Sequence, residues 1–173
     1  MEDETVPVTS LEGFGGQSGP TKDFKLFRYA ARTSMKRDRA LVPLARSDIL
    51  LSMVQIFRGG GGEQEMHAHT AMDGFWFVLR GRARFYGDNN VLVADLGEHE
   101  GIFVPRNAKY WFEAGECEQL ELLQVEAIDH RVKNEMIRYD EQKEPATVEV
   151  YKPEGVLIAG NVKLGPRAGP PTR

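Results

Sequence analysis

His67 and His69 stand one residue apart in the run Gly61-Gly62-Glu63-Gln64-Glu65-Met66-His67-Ala68-His69. On a β-strand that spacing turns both imidazoles to the same face, where they can converge on one ion. A second run, Asp73-Gly74-Phe75-Trp76-Phe77-Val78-Leu79-Arg80-Gly81, follows closely and is nearly all apolar up to its closing arginine and glycine. Two imidazoles on one strand face suit a metal, but two donors alone make a thin site. The remaining donors must come from elsewhere in the fold.

The chain has 173 residues, which suits one domain with a real core. Its formal net charge of −4 and pI near 5.6 argue against a nucleic-acid or anionic-membrane partner, since both select for positive surface. No apolar run approaches the roughly 20 residues that span a bilayer. Met1-Glu2-Asp3-Glu4 lacks the layout of a signal peptide, so the expected location is cytoplasmic. The single cysteine, Cys117, cannot form an internal disulfide, in keeping with a reducing compartment. Glu116 and Glu118 flank it and disfavour the thiolate, which speaks against a nucleophilic role.

The elements that must position the histidines read as short strands. Segments 75–79, 83–86, 91–96, 102–104, 110–113 and 120–127 are rich in aromatic and β-branched residues. Turn signals separate them, among them Gly87-Asp88-Asn89-Asn90 and Pro105-Arg106-Asn107. Segments 24–29 and 49–57 are further strands, joined by a basic stretch at 32–39 that suits a helical turn, and 147–151 and 156–159 are candidate strands beyond the central block. That rhythm predicts an all-β protein, an antiparallel barrel or sandwich with extended N- and C-terminal segments. The expected division is a tail at 1–22, a barrel at 23–130 and a partly β C-terminal extension at 131–173, flexible at its end. Because 75–79 is apolar on both faces, its outer face needs cover from terminal strands or a second subunit, and a homodimer is the expectation.

These residues resemble the cupin superfamily, whose first motif runs Gly, five residues, His-x-His, three or four residues, Glu, six residues, Gly. Gly61, His67, His69 and Gly81 match it in register, while the glutamate slot falls on Gly74 and the nearest carboxylate is Asp73. In the second motif, Glu100-Gly101-Ile102-Phe103-Val104-Pro105 matches the strand and proline, Asn107 takes the glycine slot and Tyr110 the histidine slot. Asn tolerates the left-handed backbone better than most residues, so that exchange is mild. The resemblance implies a jelly-roll β-barrel with a central pocket, often holding Fe, Mn, Ni, Zn or Cu through three histidines and a glutamate.

Three readings of the altered ligand set compete. In the first, His67, His69, Asp73 and Tyr110 serve a divalent metal, Fe, Mn, Ni or Zn, for which mixed imidazole and oxygen donors are suitable. In the second, the barrel holds a small organic molecule, a sugar or organic acid, without metal. In the third, the two histidines have no special duty. If His67 and His69 face inward, strand parity sends position 74, Trp76 and Val78 inward, with Tyr110 and Phe112 on the neighbouring strand. The glycine at 74 would then free volume for a substrate carboxylate or carbonyl. Gln64 at the rim, Trp76, Phe112 and Gln124 are the candidate pocket residues, and Gln55 can also reach the cavity. Should the protein be an enzyme, the metal would act as Lewis acid and Tyr110 as acid or base, in oxygenase, isomerase or lyase chemistry. His99 and His130 read as exposed, and Arg82 and Arg84 as a solvated face.

Overall fold

The computed structural model describes residues 4–7, 25–31, 34–140, 147–151 and 154–158. In chain order its strands are β1 (Glu4–Pro7), β2 (Lys25–Arg28), β3 (Arg39–Arg46), β4 (Leu50–Arg58), β5 (Gly62–His69), β6 (Met72–Arg80), β7 (Ala83–Tyr86), β8 (Leu92–Leu96), β9 (Gly101–Val104), β10 (Tyr110–Ala114), β11 (Gln119–Ile128), β12 (Met136–Arg138), β13 (Thr147–Val150) and β14 (Glu154–Ile158). Among the described residues the helical content is one 3-10 turn, Asp88–Asn90. The protein is all-β, as the turn-punctuated sequence predicts.

Two sheets make the body. The larger runs β1-β13-β3-β4-β11-β6-β9 and the smaller β12-β5-β10-β7-β8, while β2 and β14 form a separate ribbon. Every pairing is antiparallel except that of β13 with β3. Between the sheets lies an apolar core that includes Phe57, Trp76, Val78, Phe85, Phe112 and Leu122. A second cluster, with Val42, Val54, Ile56, Met35 and Tyr151, covers the other face of the larger sheet. Such two-sided burial explains why β4 is buried along nearly its whole length.

The outer face of β6 is only partly covered. Alternate residues Met72, Gly74, Trp76 and Val78 are buried, whereas Phe75 is 46% exposed and stacks on Phe77 at 6.4 Å. On the adjacent β9, Phe103 is 61% exposed.

The stretch at 34–38 contains bends and no helix, and the next eight residues form β3, a strand that the sequence reading does not include. Pro43 hides it, because proline cannot donate to a ladder. The register between β3 and β4 shifts between Pro43 and Ala45, an irregularity where a missing donor is tolerated. At the other end of the chain, β12 pairs Met136 with His69, Ile137 with Ala68 and Arg138 with His67. Part of the C-terminal extension therefore braces the strand that carries the histidines. Within the expected tail at 1–22, β1 is a strand paired with β13; the rest of that tail and the residues after β14 lie outside the described residues.

Candidate functional site

β5 and β10 bring the three leading donors together. Tyr110 is the register partner of His67 across these strands. The His67 and Tyr110 rings lie 4.4 Å apart, and those of His67 and His69 5.3 Å apart and almost perpendicular. His67 is 4% exposed and Tyr110 7%. His67 thus stands inside the fold beside the phenol, and His69 is half-buried next to it.

The local chain fixes this arrangement. Nδ1 of His67 lies 2.8 Å from the carbonyl oxygen of Glu65. A carbonyl only accepts, so Nδ1 is the donor here, and in the neutral ring this is the tautomer whose Nε2 can ligate a metal. The strand is tied from outside by Arg138, which donates to Glu65 at 2.5 Å, and by Asp140, which accepts from the Met66 N–H at 2.6 Å. Asn107 adopts the left-handed backbone at φ 66° and donates its N–H to the His69 carbonyl at 2.7 Å. Asparagine in the glycine slot therefore does the backbone work that a turn at this place requires.

A narrow slot opens beside these residues. Its polar walls are His69, Tyr110 and Glu126, its apolar walls Met72, Val104, Pro105 and Ala108, and Gly74 lies between them. It encloses about 220 Å³ of empty space, part of it open to solvent, and its narrow interior has room for roughly one water molecule. That one-water interior is far below the roughly 300 Å³ at which pockets for larger organic molecules begin.

Asp73 does not join the donors. It stands one position off the inward parity and is half-buried, accepting from the Arg106 backbone N–H at 2.8 Å and from the Arg106 guanidinium at 2.9 Å. Arg106 also bonds Asp129 at 2.5 Å, and Arg131 bonds Asp129 at 2.8 Å. The Arg106 backbone and guanidinium lower the Asp73 pKa, and Arg131, with help from Arg106, holds Asp129 far below the usual carboxylate range. The stability these carboxylates add is present above their ordinary value near 3.9 and is lost as pH falls below it. Asp129→Asn is therefore expected to lower the urea midpoint near pH 7 and to cost much less near pH 2. Equal losses at the two pH values would contradict this role.

The freed volume expected at Gly74 is partly taken. A Cβ on Gly74 would lie 3.1 Å from Trp76 Nε1, tighter than ordinary contact. Trp76 and Phe112 are fully buried and pack on each other at 5.2 Å, so they fill the core beside the slot instead of lining it. Gln124 also stands behind the slot, 7% exposed, with its amide on Glu126 at 2.5 Å. Gln55 donates to Gln124 at 2.6 Å and belongs to the same buried group. The Gln64 side chain lies outside the described residues. His99 is in an exposed turn at φ 67°, His130 contacts the Asp48 carbonyl, and Arg82 and Arg84 pair with Asp95 on the surface.

Glu126 is the residue the sequence reading misses. It is 4% exposed and is the register partner of Gly74 across β11 and β6. A signal exists in β11, where Leu120, Leu122, Gln124 and Glu126 alternate inward. Two polar residues in succession on a core-facing stripe mark a site.

A metal of the kind the resemblance implies fits these residues through one route. Among the described residues no three His, Cys, Asp or Glu side chains gather closely enough to hold an ion. The third donor would be the Tyr110 phenol, whose ring lies 4.4 Å from that of His67, and the fit rests on this mixed set of two imidazoles and a phenol.

No protein-family model and no curated protein sequence matches this chain. Solved structures do resemble it. A conserved protein with a double-stranded β-helix domain from Klebsiella pneumoniae aligns with TM-score 0.51 at 12% identity, over 60% of this chain and 88% of that one. A cupin superfamily protein from Desulfitobacterium hafniense aligns with TM-score 0.49 at 19% identity, over 57% of this chain and 84% of that one. A cupin protein from Bacteroides fragilis aligns with TM-score 0.45 at 13% identity, over 62% and 91%. Likeness at these identities concerns architecture alone. Among the described residues no helix is long and apolar enough to cross a membrane. The two sheets, the apolar core between them and the double-stranded β-helix alignment together give this chain the cupin-type fold.

Proposed function

We propose that this chain is a small-molecule-binding cupin that holds one divalent metal, Fe, Mn, Ni or Zn, on His67, His69 and Tyr110. The observation that carries the reading is the bond from His67 Nδ1 to the Glu65 carbonyl, beside the Tyr110 ring. It presets the tautomer in which Nε2 can ligate, a device common among metal-bound histidines. When bound, such an ion supplies Lewis-acid polarisation of a carbonyl or carboxylate. Tyr110 then stands where it can share a proton with the molecule that enters, and oxygenase, isomerase or lyase chemistry is compatible with that role.

The narrow slot favours an ion and a small polar group over a whole sugar ring, so the metal reading stands ahead of a metal-free sugar or organic-acid binder. The exposed Phe75 and Phe103 on β6 and β9 support a homodimer that covers this face. Full-length protein prepared without a histidine tag or chelator is expected to carry about one equivalent of divalent metal by elemental analysis. Protein that contains none and takes up none on addition of Zn(II), Mn(II), Ni(II) or Fe(II) would contradict the proposal.

A further inference from the structure

We propose that Glu126 is the acidic residue of this site, supplying from β11 the negative charge that Gly74 cannot supply from β6. The inference deepens the metal reading and rests on it. Glu126 and Gly74 are cross-strand partners, so the carboxylate enters the region that a glutamate at position 74 would serve. It lines the slot together with His69 and Tyr110.

A directed chain of hydrogen bonds stands behind it. Arg39 Nη2 donates to Gln55 Oε1 at 2.6 Å, Gln55 Nε2 to Gln124 Oε1 at 2.6 Å, and Gln124 Nε2 to Glu126 Oε1 at 2.5 Å. Amide orientation is often ambiguous, but a guanidinium can only donate. Arg39 therefore turns the Gln55 oxygen toward itself, and each amide after it must point its nitrogen toward the next residue. The chain ends on a carboxylate that accepts.

Gln55 and Gln124 are 2% and 7% exposed among core residues. Buried amides and carboxylates cost stability relative to apolar side chains of similar size unless they are fully bonded. A run of three such residues that ends at the slot is better explained by the charge it delivers than by packing. Glu126 does not complete a three-ligand cluster with the two imidazoles. Its place is in the slot that His69 and Tyr110 also line, as the counter-charge to a cation they hold. A carboxylate occupant without a cation would be repelled by Glu126, so the slot takes the cation first.

Calorimetric titration of Zn(II) into the tag-free full chain tests this. Glu126→Gln is expected to bind zinc about 10- to 100-fold more weakly than wild type, with an unchanged near-ultraviolet circular dichroism spectrum. Affinity equal to the wild type's would overturn the role of Glu126 and leave the metal reading standing. A wild type that binds none of Zn(II), Mn(II), Ni(II) or Fe(II) would remove both. Should Glu126→Gln fail to fold, Gln124→Met keeps the carboxylate and removes the amide that steadies it, together with the acceptor of the Gln55 amide. Its expected loss is about 10-fold, and unchanged affinity would again overturn the proposal.

Discussion

Replacing His67 and His69 together by alanine is expected to weaken divalent-metal binding by more than the roughly 100-fold that loss of an outer-shell partner costs at most. Both rings would be direct donors, and the surviving phenol has no second strong donor beside it on β5. His67 is almost fully buried against Tyr110, so its truncation also removes packing, and a modest fall in melting temperature accompanies the loss. Fold and affinity separate cleanly if the far-ultraviolet spectrum of the double variant stays that of a β protein while zinc titration becomes flat. Retention of wild-type affinity would remove the imidazoles from the account.

Trp76→Ala carries the largest expected effect on stability, about 3–5 kcal/mol by urea unfolding. The indole is fully buried and packs on Phe85 at 5.9 Å, Phe112 at 5.2 Å and Tyr110 at 6.2 Å. Aromatic pairs of this kind add about 0.5–1.5 kcal/mol beyond the area they bury. A small domain has only about 5–15 kcal/mol in total, so the variant stands near the threshold of folding. Tyr110 loses the wall that orients it, and metal affinity is expected to fall with stability. A loss below about 1 kcal/mol would mean that Trp76 is not the keystone of this core.

The indole also crowds position 74, where the motif this chain resembles carries a glutamate. With Trp76 Nε1 where a Cβ on residue 74 would press, a side chain at 74 and an indole at 76 compete for one space. Glycine at 74 accommodates the tryptophan, and the register then sets Glu126 opposite it. Sequence spacing alone carries neither fact, because both depend on contact between side chains or strands far apart in the chain. Asp73 is the converse case. Its closeness in sequence to the glutamate slot suggests a ligand, but an offset of one residue turns it to the outer face and to Arg106.

What was legible follows from locality. Strands β6 to β11 are bounded by Gly, Asn, Asp and Pro turns, and their alternation is written in adjacent residues. His67, His69 and Tyr110 come together because parity and one antiparallel pairing suffice to place them. β12 was not legible, since three exposed residues form a strand only by pairing with β5. β3 was masked by its own proline. The Arg39–Gln55–Gln124–Glu126 chain spans three strands, and only the assembled sheet aligns it.

Diffraction from crystals grown with Zn(II), measured on both sides of the zinc absorption edge, tests the central claim most directly. The account predicts one anomalous peak per chain within about 2.0–2.2 Å of His67 Nε2, a His69 ring nitrogen and the Tyr110 oxygen. A peak bound elsewhere, or none while both imidazoles keep their inward places, would contradict it.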